Sequence, residues 1–148
     1  MSDDLEVLDP QPTVVMFRGE RLEIRPLTIG KLPAFSRLVR PVVVDFFSGL
    51  HPEWLTSDDA MLADVMELHG EAIVAALAIA ADKPAAFIAE HSDASELLAL
   101  ARTVVEQNTP FFTRVIRAVR AAQDHAQSLP RNGIGSMQSS DLSEPAIH

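Results

Sequence analysis

Ala72 to Ala81 is an unbroken run of ten apolar residues, AIVAALAIAA, between Glu71 and Asp82. A helix without a polar face must be covered on every side, so this run predicts a central helix from Glu71 to about Ala81 with the rest of the chain packed around it. A helix that crosses a bilayer needs about 20 such residues, so the run predicts no membrane span. Seven Phe, one Trp and no Tyr leave the core to Leu, Ile, Val and Ala, which suits helix-on-helix packing.

The 148 residues suit one domain with tails, and 47% hydrophobic content is enough for a real core. The absence of Cys removes disulfides, thiolate metal sites and cysteine nucleophiles together. Met1-Ser2-Asp3-Asp4 is acidic where a secretory signal is basic, so a cytoplasmic protein is expected. The formal charge is −9, and residues 41–113 hold twelve Asp and Glu against Lys83 and Arg102. Such a chain gains little from neutralising a phosphate backbone, so nucleic acid is disfavoured as a partner. The oppositely charged segments can fold onto one another or meet between subunits, which leaves a homo-oligomer open.

The expected fold is mainly α: a small N-terminal β-hairpin, then a compact bundle of about five to six helices. Residues 1–12 read as a flexible acidic arm, 13–128 as the single domain and 129–148 as a disordered polar tail. Thr13 to Phe17 and Arg21 to Arg25 flank the turn Arg18-Gly19-Glu20 and predict the hairpin, which must rest on helices or on a neighbouring strand. Thr28 is the expected cap of a helix to about Val39, which Arg40-Pro41 should interrupt before a short buried segment, Val42 to Leu50. Thr56-Ser57-Asp58-Asp59 is a strong helix entrance, with Gly70 the expected stop. Pro84 should open a short helix, Asp93 with Glu96 should form a capping box, and Thr109-Pro110 should cap and start the last helix.

No chemistry-bearing constellation emerges. His51, His69, His91, His125 and His148 include no pair spaced i, i+4, and the alternate residues Glu67, His69 and Glu71 diverge on a helix. Asp58 and Asp59 are explained by capping. No nucleophile elbow, P-loop or dinucleotide fingerprint occurs. No catalytic, cofactor or metal residue is therefore assigned, and an enzyme is the least favoured class. Arg114, Arg117 and Arg120 form a row that reads as a solvated face or as a partner for the acidic middle of the chain. Phe46-Phe47, Trp54 and Phe111-Phe112 are the candidate partner-binding residues, because adjacent aromatics on one helix cannot both point fully inward.

Three segments, in this order and spacing, resemble the tail assembly chaperones of phages with long non-contractile tails, of the transposable-phage kind. They are Arg25 to Phe35 after the hairpin, His69-Gly70-Glu71 leading into Ala76 to Ala80, and Glu106 to Phe112. The resemblance spans roughly residues 13–120. It implies a non-enzymatic protein of the host bacterial cytoplasm, absent from the mature virion. Such a protein binds the tape measure protein and keeps it soluble while the tail tube protein assembles around it. It also implies a longer, frameshifted form of the chain, for which the polar tail would serve as tether. The alternatives are a virion structural protein, such as a tail connector or completion factor, and an acidic inhibitor that mimics nucleic acid.

Overall fold

The computed structural model describes residues 11–128. The polar tail 129–148 and all but the last two residues of the acidic arm lie outside the described residues. Strands β1 (Thr13–Phe17) and β2 (Glu20–Ile24) form an antiparallel hairpin in which Phe17 pairs with Glu20 and Thr13 with Ile24. The turn is two residues, Arg18 and Gly19, with φ of 54° and 76°. Left-handed values at both positions suit the right-handed twist of the strands, and Gly19 adopts its value without a Cβ clash. Phe17, Leu22 and Ile24 are buried while Val14, Met16, Arg21 and Glu23 face outward, as strand alternation requires.

Five helices follow: α1 (Leu32–Phe46), α2 (Asp58–Ala81), α3 (Ala85–Ala89), α4 (Ala94–Gln107) and α5 (Thr109–Ser128), with a 3-10 turn at Pro52–Leu55. The mainly helical fold with an N-terminal hairpin is the one its sequence pattern predicts. The hairpin rests on helices of its own chain. The Arg18 N–H donates to Glu96 Oε1 at 3.0 Å, and the Arg18 guanidinium donates to the Phe87 carbonyl at 2.9 Å. Phe17 packs 5.7 Å from the Phe87 ring.

Several local expectations are corrected. Arg40-Pro41 does not interrupt: α1 runs through Pro41 to Phe46, absorbing most of the segment expected as a separate short helix. An interior proline costs about 3 kcal/mol. Phe35, Val39 and Val43 lie four residues apart on one buried face, and each buried apolar side chain returns about 1.5–3 kcal/mol. Pro41 itself lies on the exposed side. The start of α1 is also later than expected, since Thr28 supplies its carbonyl to the Lys31 and Leu32 N–H groups rather than a side-chain cap.

Gly70 does not stop a helix either, because α2 is continuous over 24 residues. A mid-helix glycine costs about 1 kcal/mol, less than the burial of Ala76 to Ala81 provides. The N-terminus of α2 is capped as expected, with the Ser57 hydroxyl accepting from the Ala60 N–H at 3.2 Å. Its C-terminus ends on Asp82 in the left-handed conformation (φ 57°), with Lys83 N–H donating to Ala78 and Asp82 N–H to Ile79. That double bond satisfies two orphan carbonyls in the manner of a Schellman motif.

At α4 only half of the capping box forms. Asp93 accepts from the Ser95 and Glu96 N–H groups, while Glu96 turns away to the Arg18 N–H. Thr109 is not the cap of α5. Its hydroxyl donates back to the Glu106 carbonyl at 2.9 Å, and Asn108 supplies the carbonyl that accepts from the Phe112 N–H. Phe17, Ile24, Phe35, Leu100 and Val104 are the largest side chains sealed in the centre, joined by Ala76 to Ala81 of α2. The central position expected of the Ala-rich run is therefore found in the core.

Candidate partner-binding surface

The aromatic residues group into two clusters, neither built as expected. In the first, Phe46 and Phe47 end α1 and Trp54 sits in the 3-10 turn. Phe46 lies 5.2 Å from Phe47 and 6.0 Å from Trp54. Trp54 is only 3% exposed and its indole N–H donates to Asp64 Oδ2 at 3.0 Å, so its expected role as a free anchor is corrected. His51 stacks flat on Trp54 at 4.2 Å. Asp45 joins the cluster to α2 by accepting from the His69 Nε2–H at 2.9 Å. The Arg120 guanidinium lies 5.0 Å over the Phe47 ring, so one member of the arginine row covers an aromatic while Arg114 and Arg117 stay exposed.

The second cluster joins α1 to α5. Phe111 and Phe112 lie 5.7 and 6.0 Å from Phe35, both edge-on. One partner ring thus receives both adjacent phenylalanines, which are half-buried rather than free anchors. Asn108, 5% exposed, sits between α4 and α5 and ties α4 to the segment after the hairpin: its carboxamide oxygen accepts from the Leu27 N–H at 2.8 Å and its NH2 donates to the Val104 carbonyl at 2.9 Å. The side chain thereby ties the post-hairpin segment to the junction, a duty invisible in a local reading of Asn108-Thr109-Pro110.

Phe112 also lines an apolar groove. The groove, of about 170 Å³, opens between α1, α2, α4 and α5, and no polar atom lines it. Val39 and Val43 of α1, Ile73 and Leu77 of α2, and Ala101 and Val105 of α4 line it. Val105 is 45% exposed at the lip. Such a groove can desolvate apolar side chains, and it has no means of activating a bond. Of the five expected contact residues, the structure places only Phe112 on it; Phe46, Phe47 and Trp54 belong to the other cluster, and Phe111 packs beside Phe35.

Two groups missed by the sequence reading bring ligand-type atoms within 4.8 Å of one another: His51, Glu53 and Asp64, and His91, Asp93 and Glu96. Three of their four carboxylates already have structural duties. Asp64 accepts from Trp54, Asp93 caps α4 and Glu96 accepts from Arg18. The Asp93 carboxylate is held below its ordinary value chiefly by the Ser95 hydroxyl, then by the Glu96 N–H. Glu67, His69 and Glu71 do not converge; His69 turns instead to Asp45.

A family profile matches residues 4–147. The chain belongs to DUF6631, a family of unknown function. No curated protein and no solved structure matches it. The DUF6631 match spans the hairpin and all five helices, so hairpin and bundle belong to one family unit.

Proposed function

We propose that this protein is a tail assembly chaperone that holds the tape measure protein soluble in the host bacterial cytoplasm until the tail tube protein assembles. The role is non-enzymatic: it covers apolar helix surface and later gives it up. The observation that carries the reading is the wholly apolar groove between α1, α2, α4 and α5, open at Val105, on a chain of formal charge −9. Apolar grooves of this kind receive the apolar faces of amphipathic helices. The acidic exterior keeps the loaded complex dispersed. The groove is small, so each contact is weak, and several copies along one long client supply the hold while leaving release possible. The order of segments that resembles tail assembly chaperones supports the same reading, including a longer frameshifted form of the chain.

The test is co-expression with the tape measure protein of the phage that encodes the chain. Wild-type chain brings the tape measure protein into the soluble fraction and co-purifies with it. Val105→Glu places a charge at the groove lip and lowers recovery of the client by about tenfold or more, since stranding a charge against apolar surface costs a hot-spot-sized penalty. A client that stays insoluble with wild type, or recovery of the chain from mature particles at tail stoichiometry, contradicts the proposal.

A further inference from the structure

The long helix α2 is unevenly covered. All its buried residues lie between Ala76 and Ala81, while its first half carries Leu62, Val65 and Met66 only partly covered and Leu68 54% exposed. Along that half, Asp59, Leu62, Ala63 and Met66 form one side of a cavity of about 330 Å³, distinct from the apolar groove. Their spacing, i, i+3, i+4, i+7, makes a straight stripe about 10 Å long at 1.5 Å per residue. Ile88 of α3, Leu97 of α4 and Phe17 of β1 line the cavity as well. The cavity is therefore a trough of two helical turns with ridged apolar walls, the counterpart of a ridge on another helix.

Its polar side chains are Asp59, His91, Ser92 and Asp93, and both carboxylates carry negative charge. Asp59 and Asp93 stand at the rim. Arg102 of α4 pairs with Asp58 at 3.0 Å, and Arg18 of the hairpin turn donates to the Phe87 carbonyl. His91 lies edge-on to Phe17 at 4.6 Å, and its Nε2 is buried without a hydrogen bond; the nearest acceptor, Glu96 Oε1, is 3.3 Å away and out of line. Met66 in the wall lets the trough adapt to side chains of different shape.

We propose that the α2–α3–α4 trough is a second docking site, for a basic amphipathic helix of a partner protein: aliphatic residues one turn apart enter the trough and Lys or Arg beside them meet Asp59 and Asp93. The charge complementarity selects this occupant over an acidic or neutral helix. The site stands independently of the groove and of whether the groove's client is the tape measure protein.

The probe is a synthetic peptide of about 18 residues with leucines at i, i+3, i+4 and i+7 and lysines flanking them, against a twin with glutamates in place of the lysines. Titrated into the full chain, the lysine peptide shifts the Met66 methyl and His91 ring resonances and the glutamate twin does not. Ala63→Trp, at an exposed position, fills the trough and weakens the lysine peptide at least tenfold. Asp59→Lys, which leaves the apolar walls intact, weakens it about threefold or more and flattens its salt dependence. Equal binding of the twins, or undiminished binding by both variants, overturns the proposal. Tape measure recovery that survives Ala63→Trp but falls with Val105→Glu, alongside a lysine peptide that moves neither resonance, removes the trough and leaves the chaperone reading standing. Peptide binding at the trough with an insoluble client does the reverse.

Discussion

Asn108, between α4 and α5, ties the end of α4 to the segment after the hairpin. Its carboxamide satisfies one N–H and one carbonyl from separate parts of the chain in a site 5% exposed. Asn108→Ala strands both, and a buried unpaired group costs about 1–3 kcal/mol. The expected result is a lower urea midpoint worth about 2–3 kcal/mol with an unchanged slope, since the unfolded surface stays the same. At the other end of α4, the Asp93 carboxylate is held below its ordinary value of 3.8 by Ser95 and Glu96. A depressed carboxylate stabilises the fold fully above its ordinary value and loses that contribution as pH falls through the lowered folded value. Asp93→Asn keeps a capping side chain without the titration, so its urea midpoint falls less steeply than wild type on the acid side. Asp93 was legible as a cap because all its partners lie within three residues. The tie from Asn108 to Leu27 spans 81 residues and left no local trace.

Among the elements, α2 separates local signal from tertiary result most clearly. Ser57, Asp58 and Asp59 announce its start, because a helix N-terminus has orphan donors that only nearby residues can satisfy. Gly70 reads as a stop for an equally local reason, yet the helix passes through it. The packing of Ala76 to Ala81 in the core and the bond from His69 to Asp45 hold the two halves in line. A Cβ added at Gly70 would meet only the flexible end of Met66, at 3.4 Å, and the backbone there is right-handed. Gly70→Ala is therefore expected to raise stability by about 0.5–1 kcal/mol in chemical denaturation. A loss instead would mean a left-handed turn at that position and two helices. Pro41 follows the same logic: its penalty is local, and the face formed by Phe35, Val39 and Val43 outweighs it.

For the whole molecule, the Ala-rich run dictates a helical bundle, and the low aromatic content dictates an aliphatic core; both were legible from composition and period. The groove was not, because its walls come from four helices and no single segment carries its pattern. Adjacent phenylalanines were expected to split between the core and a second surface, a partner's or a neighbouring helix's; the surface is that of the neighbouring helix, whose Phe35 receives both Phe111 and Phe112. The exposed aliphatic Val105, unremarkable in sequence, marks the open lip instead.

The central claim is that this groove, and no reactive side chain, is what the protein offers its client. Methyl-selective NMR of the full chain, titrated with soluble segments of the tape measure protein, tests it most directly. The account predicts that one segment shifts the methyls of Val43, Ile73 and Val105 together and leaves Val14 on the outer face of the hairpin unmoved. Binding that leaves all three groove methyls in place, or no binding by any segment, would contradict it.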